Sequence, residues 1–119
     1  MNVQKLKEEL SNKYPNKLII ENGFGEVVCE IKPASEDPDE SIAIAVIDNT
    51  KPHYHKTITE KYEVLKGELE LFVNDQPIKL RQGDNFIIKP LQRHYAKGNE
   101  TWIKCTSNPA WSFEDHLFE

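Results

Sequence analysis

The chain has little sulfur, no long apolar run and no surplus of basic charge. Its 119 residues hold two cysteines, Cys29 and Cys105, and one methionine. The cysteines do not form the closely spaced pair of a redox or zinc motif, so they read as separate, partly buried thiols behaving as small hydrophobes. No apolar stretch reaches the length needed to cross a bilayer, and the opening "MNVQKLKEEL" lacks the apolar centre of a signal peptide. Together these absences predict a cytoplasmic protein with no membrane partner. Fifteen Lys and Arg against twenty Asp and Glu leave a formal net charge of −5. The lysines are interleaved with acids, whereas a phosphate-binding surface needs basic residues in a cluster, so no nucleic-acid partner is expected. Also missing are a glycine loop able to cradle phosphate and a serine or cysteine nucleophile set beside a base.

What remains is the composition of one folded domain: 38% hydrophobic and 29% charged, with seven prolines and five glycines spread along the chain. Residues 2–13 predict a short helix, because Val3, Leu6 and Leu10 fall on one face and Pro15 disfavours helix in Tyr14. Everything after reads as strand and turn. "KLIIE", "EVVCEIKP", "SIAIAVID", "ELELFV", "IKL", "FIIK", "RHYAK" and "TWIKCTS" are separated by turn signals such as "NGFG", "NDQP", "RQGDN" and "GNE". Many short strands at regular spacing predict an all-β sandwich or small barrel. The unbroken apolar run "SIAIAVID" suits a strand buried on both faces. The tail, 107–119, is aromatic without alternation and is expected along the barrel's outside or against a second subunit. Trp102 and Trp111 are expected as core or interface anchors, and His116 as a surface histidine.

Only four histidines are present, and two of them, His53 and His55, flank the single residue Tyr54. Residues two apart on an extended chain share a face, so the two imidazoles, about 7 Å apart, can lean toward one point. Glu60 follows five residues later, far enough to round a bend and return a carboxylate to that point. Downstream, "GDNFIIKPLQRH" opens on Gly83 and ends on His94, with Pro90 marking a break before the strand that carries His94 inward. If Glu60 points inward, so does Tyr62. Its hydroxyl then has two uses open to it, as proton donor or substrate anchor, or as an aromatic packed in the core.

This pattern resembles the cupins. Their first motif runs HxH, three or four residues, Glu, six residues, Gly, and here His53-Tyr54-His55, "KTIT", Glu60, "KYEVLK" and Gly67 match it throughout. The second motif is met at Gly83 and His94. It departs at Lys89, where Pro is usual, at Leu91, where Gly is usual, and at Gly98, where Asn is usual. The resemblance covers residues 41 to about 106. It implies a double-stranded β-helix, a small jelly-roll barrel, with one divalent metal held by His53, His55, Glu60 and His94. Three neutral imidazoles and one carboxylate suit Fe, Mn, Ni, Cu or Zn, and not calcium. The resemblance further implies a homodimer and a small-molecule ligand or substrate. The expected activity is an oxygenase or a sugar-type isomerase or epimerase on a small polar metabolite, with a non-catalytic sensing module as the alternative.

Overall fold

The computed structural model describes residues 1–118. The helix forms where the apolar spacing placed it, as α1 (Val3–Lys13). The Asn2 side chain caps its start by accepting from the Lys5 amide at 3.1 Å, and the Tyr14 amide closes its end on the Leu10 carbonyl. Among the described residues eight strands follow: β1 (Ile19–Glu21), β2 (Glu26–Lys32), β3 (Ser41–Asn49), β4 (Thr59–Lys66), β5 (Glu68–Val73), β6 (Gln76–Arg81), β7 (Asn85–Ile88) and β8 (His94–Asn108). All pairs are antiparallel. The order is β1-β2-β3-β8-β4-β7, and β5 pairs with both β6 and β8. The result is the expected small jelly-roll barrel. No helix among the described residues is long and apolar enough to cross a membrane.

β8 is the hub. Its second half lies between β3 and β4, with Cys105 opposite both Ala43 and Tyr62, while its first half pairs with β5 from Gly98↔Leu69 to His94↔Val73. The sequence predicted two strands here, "RHYAK" and "TWIKCTS", with "GNE" as a turn between them. Instead the chain runs on as one strand of 15 residues, bent rather than reversed at Glu100, which sits at φ 48°. Gly98 makes the crossing feasible. A Cβ there would lie 2.5 Å from Thr101 Oγ1 and 2.7 Å from the Ile47 carbonyl oxygen, so only glycine lets the strand pass this close.

Two apolar clusters flank the β2–β3–β8 layer. Inside the barrel, Ile47, Tyr62, Val64, Leu69, Leu71, Ile88 and Ile103 pack together. Outside it, Leu6 and Leu10 of α1 cover Val27, Cys29, Ile44, Val46 and Trp102. The run "SIAIAVID" is therefore buried on both faces, as expected, and α1 is the element that covers the second one. Each large side chain so buried contributes roughly 1.5–3 kcal/mol. Ile44 and Val46 are used up within the chain, so a homodimer would have to form through other surfaces. Cys29 and Cys105 are free and lie in different places, one under the helix and one inside the barrel.

Gly98→Ala should lower stability by about 1–3 kcal/mol, since the methyl meets backbone at Ile47 rather than a yielding side chain. Denaturant midpoints measure this, and an unchanged midpoint would show that β8 does not pass so close.

Candidate metal centre

The histidine segment is held as a short extended piece between the start of β8 and the C-terminal tail. His53 and His94 exchange two backbone hydrogen bonds, of 3.0 and 2.8 Å, and Tyr54 and Leu117 exchange two more on the other edge. That backbone sends His53 and His55 one way and Tyr54 the other. A bend over residues 56–57 then leads into β4, whose second residue is Glu60, set between Ile88 of β7 and Ser107 of β8. His94 is the first residue of β8. The four side chains that the sequence singled out meet, each buried, with one ligand atom apiece lying within 4.8 Å of the others.

Hydrogen bonds behind the rings decide what those atoms offer. His53 Nδ1 faces the Lys51 carbonyl at 2.7 Å, His55 Nδ1 the Asp115 carbonyl at 2.7 Å, and His94 Nδ1 the Gln92 carbonyl at 2.9 Å. A carbonyl only accepts, so each Nδ1 carries a proton and each neutral ring presents a bare Nε2 to the centre. Two of these, on His55 and His94, stand 3.1 Å from Glu60 Oε1. A nitrogen lone pair against a carboxylate oxygen at that distance repels unless a proton or a cation lies between them. Three neutral nitrogens and a carboxylate oxygen, each already oriented from behind, fit a divalent transition metal. Cys105 Sγ donates to Glu60 Oε2 at 3.3 Å, which steadies the carboxylate. Burial, then Glu60, push that thiol well above its ordinary range, so it stays protonated as the donor to that carboxylate.

Charge on the cluster follows the same geometry. Burial, with His94 adding to it, drives His53 down to about 3. Burial also opposes charge on His55, but the Glu60 carboxylate outweighs it and leaves His55 above its usual value. Burial opposes charge on Glu60 too, yet a proton held between it and the Nε2 of His55 or His94 keeps its carboxyl well below the carboxylate range. Tyr62 packs its ring in the barrel core, edge-on to His94 at 6.2 Å between centroids. Among the described residues its hydroxyl has no hydrogen-bond partner, and no fully buried side-chain oxygen or nitrogen is left without one. The hydroxyl therefore opens onto the cavity, of about 470 Å³, that adjoins His53 and Glu60. Both uses read from the sequence for Tyr62 are thus compatible with its position.

Three residues escaped the sequence reading. The tail does not run along the outside of the barrel. It crosses the mouth, anchored where the Trp111 amide donates to Ser41 Oγ at 2.8 Å. The Asp115 carboxylate accepts from the amides of Lys56, Thr57 and Ile58 and from the Thr57 hydroxyl, at 2.8 to 3.2 Å, fixing the bend between His55 and Glu60. His116, expected at the surface, is half-buried and stacks on His53 at 4.2 Å and 16°. Its Nδ1 accepts from Trp111 Nε1 at 3.1 Å, and burial lowers it to about 4. The resemblance ended before this tail, and nothing periodic in it signals a return to the barrel. The third residue is Glu26. β2 alternates, turning Val27 and Cys29 to the helix and Glu26, Val28, Glu30 and Lys32 to the cavity. Burial, then Glu60, push the Glu26 carboxyl up to about 7. Period-two reading of "EVVCEIK" carried that signal.

Leu91 resolves the departure in the second motif. It adopts φ 71°, the left-handed conformation that the usual glycine would take without strain, and its amide still donates to the His55 carbonyl at 2.7 Å. The loop before His94 therefore keeps its course at a cost in backbone strain.

A family model described as "Cupin domain" matches residues 42–102. No curated protein matches the chain in sequence. Among solved structures, Streptomyces Pac13, described as a unique nucleoside dehydratase, is similar at 15% identity and TM-score 0.78, over 87% of each chain. A protein from Planctomyces limnophilus is similar at 22% identity and TM-score 0.77, over 88% of this chain and 92% of that one. Ectoine synthase from P. lautus follows at 15% identity and TM-score 0.67, over 79% of this chain and 70% of its own.

Two predictions rest on this geometry. Leu91→Gly should raise the denaturant midpoint and Leu91→Val should lower stability by about 1 kcal/mol, since a β-branched residue tolerates φ > 0 worst. A midpoint lowered by glycine would contradict the strain. The second concerns pH. In protein stripped of metal by a chelator, His53 and His116 stay neutral in the fold but take protons near pH 6.5 when unfolded. At these two positions the unfolded chain then binds more protons, so their contribution to stability falls as pH drops from about 6.5 toward 4. His55 and Glu26 act oppositely: both are raised in the fold, so each gives stability at lower pH that is lost as pH rises through its raised value, about 7 for Glu26. Comparison with His116→Gln isolates one of the lowered groups: between about pH 7 and 5 the melting temperature of the parent should fall relative to that of the variant. A difference between the two that stays constant, or that changes the other way, would contradict the assignment.

Proposed function

The chain belongs to the cupin family, and we propose that it binds one divalent transition metal through His53, His55, Glu60 and His94 and works as a metal-dependent enzyme on a small molecule. The observation that carries this reading is the convergence of three imidazoles whose Nδ1 protons are all committed to backbone carbonyls, so that the Nε2 lone pairs of His53, His55 and His94 are free beside Glu60 Oε1. Fe, Mn, Ni, Cu and Zn all suit that donor set, and calcium does not. A metal held there supplies a Lewis acid for a carbonyl or hydroxyl oxygen.

The chain's own groups favour proton transfer over oxygen chemistry. Tyr62 is kept protonated by burial and by the nearby Glu60 charge, so its hydroxyl is a donor facing the cavity. Glu26 titrates near neutrality, which suits a group that takes a proton and returns it. A donor and an exchangeable carboxyl around one cavity are what an isomerase, an epimerase or a related proton-transfer enzyme needs. Enzymes of this fold, among them the nucleoside dehydratase and the ectoine synthase, show that the scaffold carries catalysis elsewhere, though the fold itself does not fix the reaction.

Metal analysis of protein purified without chelator should find about one equivalent per chain, and His53→Ala/His55→Ala should find almost none. A double variant that keeps its metal would sink the site. With Fe(II), Mn(II) or Zn(II) supplied, isomer interconversion on a panel of small metabolites should exceed O₂ uptake. Tyr62→Phe should retain metal and lose about a hundredfold or more in turnover. Tight binding of a panel compound with no turnover would favour the sensing role instead.

A further inference from the structure

The cavity beside the cluster has two unlike ends. At the inner end are His53, Glu60 and Tyr62, with Glu26 on the β2 wall. Away from the cluster the lining is mostly apolar, with Glu30, Lys32 and Lys51 the charged residues that also reach it. Nine large apolar side chains are exposed among the described residues, and five of them, Ile20, Phe24, Trp111, Phe113 and Phe118, line this one cavity. Scattered exposed hydrophobics need no explanation, but a majority gathered around one opening does.

Both apolar walls are built and held. In the turn between β1 and β2, Asn22 Oδ1 accepts from the Phe24 and Glu26 amides at 2.9 and 3.2 Å, and its Nδ2 donates to Glu26 Oε1 at 3.0 Å. The Lys51 ammonium sits 5.4 Å from the centre of the Phe24 ring, a cation–π contact between two residues that both line the cavity. On the tail side the rings form a continuous chain. Trp111 contacts His116 at 5.6 Å between centroids, His116 contacts Phe118 at 5.1 Å, and His116 stacks on His53. A volume of about 470 Å³ is that of a small-molecule site, and its closed end is a set of oxygen-seeking groups rather than more apolar surface.

We infer that the substrate is amphipathic, with an oxygen-bearing head that meets the His53, His55, Glu60 and His94 cluster and a flat apolar body, aromatic or heteroaromatic, lying between Phe24 and the tail aromatics. This deepens the metal-enzyme reading and rests on it. It also narrows the small polar metabolite expected from the sequence to one whose polar part is confined to one end. Substrates polar all round, such as free sugars, would leave the outer rings in water and gain nothing from them.

Two probes with one chelating head separate the parts. Acetohydroxamate carries a methyl body and benzohydroxamate a phenyl body. Titrated calorimetrically into Zn(II)-loaded full-length protein, benzohydroxamate should bind at least about ten times tighter, because only its ring can be buried between the walls. Phe24→Ala and, separately, Phe113→Ala should each shrink that preference severalfold, with acetohydroxamate in the same variant as the reference for the head alone. Both side chains are exposed, so either variant suffices if the other folds poorly. Equal affinity of the two probes in the parent would overturn the inference and leave the metal site standing. Failure of both probes to bind, in protein that takes up no Zn(II), would overturn the metal reading and this inference with it. A preference unchanged in both variants, together with a shift in their sedimentation, would assign the aromatic rim to contact between copies of the chain and also overturn it.

Discussion

Three hydrogen bonds from imidazole Nδ1 atoms to backbone carbonyls set the character of this protein. Each costs the fold little to make, since a carbonyl near the ring needs a donor anyway. Their joint effect is to fix three tautomers and to turn three lone pairs inward. The carbonyls belong to Lys51, Gln92 and Asp115, so the site draws on three separate stretches of chain. Only a fold that brings those stretches to one end of a barrel can supply them. β8 does most of this work, because its first residue, His94, is one of the four converging side chains and its strand pairs with β3, β4 and β5. Gly98 and the bend at Glu100 are therefore as much a part of the site as those side chains are.

The tail is the second dependency. Asp115 accepts the Nδ1 proton of His55 at its carbonyl and gathers three amides and a hydroxyl at its carboxylate. One residue thus orients a ring and freezes the bend that returns Glu60 to it. Hydrogen bonds from that bend hold the Asp115 carboxyl below its usual range even though burial opposes its charge. The same tail carries the aromatic side of the cavity, so closing the ligand set and shaping the pocket are one structural event.

The barrel was legible because strand periodicity and turn residues speak locally. "NDQP" became a tight hairpin with Asn74 and Asp75 at positive φ, and Gly67 and Gly83 fell where turns were expected. The convergence of the four side chains was legible because HxH on an extended backbone places two rings together by geometry alone, and the spacing to Glu60 and the "GDNFIIKPLQRH" segment ending on His94 pointed to the other two, which the resemblance then joined into one candidate set. Less local features were harder to read. That β8 is one strand depends on a backbone contact between Gly98 and Ile47, far apart in sequence. The placement of His116 and Asp115 depends on the tail crossing the mouth, which no pattern in "NPAWSFEDHLFE" encodes. Glu26 was within reach, since alternation in β2 puts it on the face opposite the helix-covered Val27 and Cys29. An acid on an inward face reads as misplaced until the cavity is known.

Nitrogen-15 NMR of the imidazole rings in Zn(II)-loaded protein tests the central claim most directly. Three rings should show a protonated Nδ1 and a metal-bound Nε2. The fourth, His116, should show the opposite tautomer, with its proton on Nε2 and Nδ1 accepting from Trp111. Ligation through Nδ1, or four rings that titrate freely in the presence of zinc, would contradict the account.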